Sequence, residues 1–341
     1  MQGAAALHGA VEEQLALLEL MLATTPVPEA VAAAAFALMT GVYLTCLSSD
    51  LGLARRLVDH VRAVVEPVAA DDPIARGWMG CAAADYDNFG RFDPYAALVW
   101  TGRARQGFEE AGHRRGALYV RIKAGVSLWL LGRHAEAEQE LRATLDAGVE
   151  FGPPSVERTA CLVEVLADSG QLDEAARQAA LFMAAAAGRD APFDEGLARW
   201  VLAGVRLRAG DPAGAEVEAR AASALLSRVP YFARPALATV AAAELAQGRA
   251  AEALATAGDV LARYEALGGP GSFKEAFARL VHVEALRAAG DHEAAGAALR
   301  KACDRLVEQS RRIDDAALRR SFLEGVPENA RIFQLTRGAL R

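Results

Sequence analysis

Histidine and cysteine are the side chains best able to ligate a metal or to serve as base and nucleophile, and this 341-residue chain has six of the first and four of the second. His8, His60, His113, His134, His282 and His292 share no helical face with carboxylates at ligand spacing, and His134 and His292 fall in turns, where surface polar residues are ordinary. Cys46, Cys81, Cys161 and Cys303 are far apart and lie in apolar stretches, as small buried hydrophobes of a reducing compartment do. The run Gly268-Gly269-Pro270-Gly271 has the glycines of a phosphate loop but neither its preceding strand nor its lysine, and reads as a linker. No His-Arg-Asp, Asp-Phe-Gly or Gly-x-x-x-x-Gly-Lys is present. The expectation is a chain without catalysis, metal or cofactor.

Charged residues could instead hold a ligand. Arg121, Arg199 and Arg279 each stand eleven residues before a glycine, at Gly132, Gly210 and Gly290. Such a ladder could grip an acidic ligand, but equal spacing also arises when each arginine bonds a carboxylate or helix end of the adjacent hairpin, and that structural role is the one expected. A net charge of −7 argues against a phosphate-binding surface, so nucleic acid is not expected as a partner. Clamping a peptide backbone takes asparagine amides, which offer donor and acceptor together, and the chain has only Asn88 and Asn329. Its lysines are equally few: Lys123, Lys274 and Lys301.

The elements that must position these residues follow from a recurring phrase. It reads Leu-Gly-Arg-His-Ala-Glu-Ala from Leu131, Ser-Gly-Gln-Leu-Asp-Glu-Ala from Ser169 and Gln-Gly-Arg-Ala-Ala-Glu-Ala from Gln247, always between two apolar helical stretches. Gly90, Gly132, Gly170, Gly210, Gly248 and Gly290 are spaced 42, 38, 40, 38 and 42 apart, and a further step back reaches Ser49. Each marks the turn of a helical hairpin, giving seven turns. A second set of breakers, Pro73, Gly112, Pro154, Pro192, Pro230 and Pro270, marks the passage from one hairpin to the next. Alanine makes up about a quarter of the chain and recurs just after the turns at Ala54, Ala137, Ala175, Ala215, Ala253 and Ala295, where a small side chain lets helices approach closely. No β-sheet is expected. The fold class expected is an all-α, right-handed superhelical solenoid of about seven hairpins, forming one unit over 1–341.

Inner helices, those before each turn, are expected over 29–47, 74–88, 114–130, 154–168, 193–208, 231–246 and 272–288. Residues 5–23 form an amphipathic helix without an inner mate, either a cap or the remnant of a longer chain, ahead of repeats over 29–312. Residues 313–341 are expected to supply helices that cover the far end. Ala30 to Leu47 is free of charge, yet seven of its residues are alanine or glycine and it falls in register as an inner helix, so a membrane span is not expected. A cytoplasmic protein is.

The turn phrase, the small residues at fixed offsets and the glycines inside inner helices (Gly125, Gly204) resemble the tetratricopeptide repeat (TPR), lengthened to about forty residues, over 29–312. Narrower phrases are similar to the C-terminal repeat regions of large bacterial, especially myxobacterial, serine/threonine protein kinases and related signalling ATPases. These are Ala-Leu-Tyr-Val-Arg-Ile-Lys-Ala-Gly-Val-Ser-Leu-Trp-Leu-Leu-Gly around Trp129, Ala-Arg-Tyr-Glu-Ala-Leu-Gly around Tyr264, and the run from Leu318 to Arg331. The resemblance implies the non-catalytic part of such a protein, with a kinase or ATPase module as its companion in cis or in trans.

The TPR pattern also implies which inner-helix positions line the concave wall: Tyr119, Ile122, Val126 and Trp129 in one hairpin, Glu157, Glu164 and Asp168 in the next, and Leu197, Trp200, Leu207 and Arg208 in the one after. That is an aromatic, apolar wall interrupted by acid, suited to an amphipathic helix carrying a few cations. The competing reading places these residues in the core between helices. Two functions follow as expectations: a protein-interaction or regulatory scaffold that binds a partner protein or peptide in the groove, and, alternatively, a small-ligand sensor domain of a signal-transduction or transcription-regulatory ATPase. A closed, ligand-sized cavity in place of an open groove would favour the second.

Overall fold

The computed structural model describes residues 16–151, 156–187, 191–268 and 271–339, and among these the backbone contains no strand. Residues 16–22 form α1. Seven hairpins follow among the described residues: α2 (Val31–Leu47) with α3 (Leu51–His60), α4 (Pro73–Asp85) with α5 (Pro94–Glu110), α6 (Arg114–Leu130) with α7 (His134–Phe151), α8 (Val156–Asp168) with α9 (Leu172–Ala187), α10 (Pro192–Arg208) with α11 (Pro212–Leu225), α12 (Pro230–Ala246) with α13 (Ala250–Glu265), and α14 (Glu275–Ala288) with α15 (His292–Ser310). Two more helices, α16 (Ala316–Glu324) and α17 (Pro327–Ala339), end the chain. Each inner helix packs on its own outer helix and on the next inner helix, which winds the stack into a right-handed solenoid.

Backbone chemistry sets the turns. Gly132, Gly170, Gly210, Gly248 and Gly290 have φ between +75° and +83°, a left-handed conformation that a side chain disfavours. The residue after each donates its N–H five positions back, as from Arg133 to Leu128 O at 2.8 Å and from Asp291 to Leu286 O at 3.0 Å, which satisfies carbonyls the helix end would orphan. Ser49 does the same without being glycine (φ 63°), with Asp50 N–H donating to Thr45 O at 2.9 Å. The carboxylates of Asp50, Asp211 and Asp291 then cap the outer helices, accepting from the N–H of Leu53, Gly214 and Ala294.

One expected turn lies elsewhere. Gly90 is not left-handed: α4 runs on through a π-helical turn, Tyr86–Gly90, and the bend falls at Phe92 (φ 50°). A Cβ at Gly90 would sit 2.9 Å from the Tyr86 ring and 3.2 Å from Cys46 Sγ, so this glycine serves close packing rather than a turn. The hand-overs hold at Pro73, Pro192 and Pro230, each the first residue of its helix, and at Gly112 (φ 61°); Pro154 and Pro270 lie outside the described residues. The last inner helix starts at Glu275 rather than near 272, because Lys274 is left-handed (φ 54°). Ala54, Ala137, Ala175, Ala215, Ala253 and Ala295 are all buried where outer helices press on inner ones.

The superhelix returns on itself. Arg234 of α12 donates to Ser49 Oγ at 3.2 and 3.3 Å, and Arg312, just past α15, donates to Asp93 Oδ2 at 2.7 Å. Next, α16 and α17 bury Phe322 and Ile332 with Ile313, Leu306 and Leu131, against the third hairpin's turn. At the other end Glu19 of α1 takes a bidentate pair from Arg56 at 2.8 Å and Leu18 lies on Gly41; residues 5–15 of the expected N-terminal helix are outside the described residues. The run Pro28–Leu47 is long and apolar enough to cross a membrane, and half of it is buried in the solenoid through residues such as Val31, Leu38 and Val42.

Candidate functional site

The residues expected on the concave wall divide into two groups. Trp129 of α6, Glu164 and Asp168 of α8, and Trp200, Leu207 and Arg208 of α10, all on inner helices, meet in one cluster, here the axial cluster. Tyr119 and Ile122 do not join them: Tyr119 packs edge-on against Trp78 at 5.7 Å and donates its hydroxyl to Met39 Sδ at 3.4 Å, while Ile122 is buried between helices. Leu197 is likewise buried, whereas Val126 and Glu157 line a small space together with Trp129, Glu164 and Trp200.

The wall is not an open groove. Phe273, from the segment ahead of α14, enters it and stacks on Tyr231 (5.0 Å between centroids, 7° between planes), with edge contacts to Trp129 and Trp200 at 5.6 and 5.8 Å. Trp129 and Trp200 are only 6% and 4% exposed as a result. Phe273, Tyr231 and Phe232 thus complete an aromatic cluster of which only the two tryptophans were expected.

Lys274 follows Phe273 inward. Its Nζ lies 3.3 Å from Glu328, 3.5 Å from Glu164 and 3.9 Å from Asp168, and 5.0 Å from the Trp129 ring centre. Asp168 accepts from Trp129 Nε1–H at 2.8 Å and from Arg208 at 2.5 Å. Burial works to raise both carboxyls; for Asp168 the cations Lys274 and Arg208 prevail and hold it below its ordinary value, whereas Glu164 stays above its own. Beside them a cavity of about 200 Å³ is lined by Glu164, Trp200, Arg208, Thr239, Lys274 and Glu328. Three carboxylates therefore face two cations in an aromatic shell.

A second cluster surrounds Lys123, which is fully buried. Nζ meets Asp85 Oδ1 at 2.9 Å and Glu157 Oε2 at 3.0 Å, and lies 4.3 Å from the Tyr43 ring centre and 5.0 Å from that of Phe89. Glu157, expected on the wall, meets this cation from the edge of the space it lines with Trp129 and Trp200. Lys123 and Lys274, two of only three lysines, had that scarcity as their one signal in the sequence; Asp85 and Glu328 had none.

The arginines take the structural role. Arg121 meets Glu140 at 3.6 Å and Arg199 meets Glu218 at 2.7 Å, both glutamates lying eight residues after the turn glycine on the outer helix of the same hairpin, not the adjacent one. The equivalent position in the last hairpin is Ala298, and Arg279 turns to Glu275 at 2.7 Å and Glu265 at 3.9 Å instead. Asn88 donates to Ser127 Oγ and Asn329 to Phe322 O, so both amides are used internally. Of the histidines, His113 caps α6 by accepting from Gly116 N–H at 3.0 Å. His134 departs from the surface reading: it is half-buried at the start of α7, and burial lowers its pKa while Asp168 works to raise it. Among the described residues no group of His, Cys, Asp and Glu is arranged to hold a metal ion.

Taken together, seven stacked hairpins with an axial cluster define a TPR-like helical-repeat fold. Two solved structures are similar over nearly the whole chain. A Rap protein complexed with Competence and Sporulation Factor matches with a TM-score of 0.64 at 12% identity, covering 91% of each chain. A Rap conjugation gene regulator of a plasmid, in complex with a peptide, matches with a TM-score of 0.57 at 12% identity, covering 92% of this chain and 98% of that one. No protein-family model matches the chain, and no curated protein does.

Proposed function

We propose that this chain is a non-catalytic interaction module that holds a partner protein or peptide at its concave axis, with a cationic group of the partner seated beside Glu164 and Glu328. The observation that carries this reading is the charge imbalance in the axial cluster: Glu164, Asp168 and Glu328 against Lys274 and Arg208, around a cavity of about 200 Å³ walled by Trp200. A buried carboxylate in excess is costly, and an incoming lysine or arginine side chain offsets that cost. The two similar folds are each seen with a peptide or factor bound, which supports a peptide-sized partner. With Asn88 and Asn329 both engaged internally, side-chain anchors rather than an asparagine clamp would hold it, as for an amphipathic helix. On the resemblance to kinase- and ATPase-linked repeats, the module works in a bacterial cytoplasm, with a kinase or ATPase module in cis or in trans.

A second reading has its own support. Because Phe273 fills the wall, what remains is a ligand-sized cavity rather than a long groove, which suits a small-ligand sensor of a signal-transduction or transcription-regulatory ATPase. Panning a displayed random-peptide library on the wild-type protein and on the Glu164→Gln/Glu328→Gln variant separates the two. Enriched peptides should carry lysine or arginine beside an apolar residue and should bind the variant at least roughly tenfold more weakly, about 1.4 kcal/mol. No enrichment, or equal binding by the variant, would discard the cationic-anchor reading in favour of the small ligand.

A further inference from the structure

A second cavity, of about 390 Å³, lies away from the axis between α3, α4 and α5. Its floor is apolar, formed by Val58, Val61, Met79 and Ala83; its rim carries Arg62, Arg76, Trp100 and Arg103 together with Glu66 and Glu110. After His60 the helix passes into a π-helical turn, Val61–Val65, a kind of irregularity that recurs at functional sites. Glu66, four residues on, lines the same cavity but makes no ion pair with Arg62. Arg62 reaches Trp100 instead, its guanidinium carbon 6.0 Å from the ring centre, and Arg103 covers the same indole at 4.6 Å. Arg103 has glycine at 107 and valine at 99, so its own helix offers no acid four residues away.

Neither Arg62 nor Arg103 has a carboxylate within ion-pair distance among the described residues. Their neighbours Arg55, Arg56, Arg76, Arg91 and Arg105 all do. Arg76, also at the rim, is held by Glu110 and by the Ala70 carbonyl. Around the hollow Arg62, Arg76 and Arg103 stand against Glu66 and Glu110, so the rim keeps one cation in excess, and two guanidiniums without a direct ion pair flank the indole where an anion could bind. We propose that this cavity binds a small amphipathic organic anion, a medium-chain carboxylate, with its hydrocarbon against Val58, Val61 and Met79 and its carboxylate shared by Arg62 and Arg103. This site is independent of the axial one.

Octanoate is the probe. Titrated into the full chain and followed by calorimetry and tryptophan fluorescence, it should bind saturably at one site with Kd of roughly 1 mM or tighter, as its size allows. Trp78, Trp129 and Trp200 are buried, so half-exposed Trp100 reports, and Trp100→Phe should remove the optical signal. Arg62→Ala/Arg103→Ala, which changes exposed side chains only, should weaken binding at least tenfold, and uncharged 1-octanol should bind at least tenfold more weakly than octanoate, by about the strength of one charge-assisted pair. Equal binding of octanol, unchanged binding by the double variant, or a signal that survives Trp100→Phe would each overturn the proposal. So would association with phosphatidylglycerol vesicles without binding of monomeric octanoate, which would mark a lipid-surface contact instead.

Discussion

Replacing Lys123 with alanine is expected to cost about 3–5 kcal/mol of folding stability, because it leaves Asp85 and Glu157 facing each other in the interior without their shared cation. The loss should depend on pH in a definite direction. Burial pushes Asp85 up to about 7 from an ordinary 3.8, with Lys123 pulling the other way. A carboxyl raised in the folded state favours folding while protonated: its contribution is complete below about pH 4 and fades as pH rises through about 7. Without Lys123 nothing steadies ionised Asp85, so the variant should be weakest near pH 8 and recover much of the difference near pH 5. Asp85→Leu placed on Lys123→Met should recover part of the loss, since it removes the more deeply buried of the two carboxylates that shared the cation and leaves only Glu157. Urea unfolding at both pH values measures all of this; a Lys123→Ala loss under about 1 kcal/mol, or one indifferent to pH, would show that the cluster does not hold the inner helices.

Gly132→Ala and Gly170→Ala share a backbone conformation, φ +75° and +78°, and so share a left-handed penalty of about 1–2 kcal/mol. They differ in surroundings. A Cβ at Gly170 meets nothing within 4 Å, whereas at Gly132 it would stand 2.5 Å from Ser321 O and 2.9 Å from Val326 N. Those are main-chain atoms, which no rotamer change can move aside, so overpacking adds about 1–3 kcal/mol at Gly132 alone. Hydrogen exchange should quicken in α16 and α17 for Gly132→Ala and not for Gly170→Ala. Equal losses and identical exchange in the two variants would mean that the last helices do not bear on the third turn.

The repeat was legible because left-handed glycine and helix-opening proline are local necessities, decided by a few neighbouring atoms. Gly90 misleads for the same reason: spacing cannot tell a glycine needed for φ from one needed because Cys46 and Tyr86 press on it. The axial site was legible by halves. Glu157 and Glu164 lie two turns apart on one face of α8, and only the tertiary arrangement assigns the first to Lys123 and the second to Lys274. Phe273 and Lys274 reach the axis through a left-handed lysine, a conformation its residue type does not announce. The arginine–glutamate pairs were available in principle, since arginine eleven before a turn and glutamate eight after it recur together at Arg121 and Glu140 and at Arg199 and Glu218.

The contacts from Arg234 to Ser49 and from Arg312 to Asp93 join positions 185 and 219 apart in sequence. An open array, tied only between neighbours, frays from its ends and melts in stages. Here the loss of an early hairpin also strips partners from a late one, so thermal melting should occur as one concerted transition. Such distant pairings close late, after the neighbouring hairpins have formed, because their loop-closure entropy is the largest in the chain.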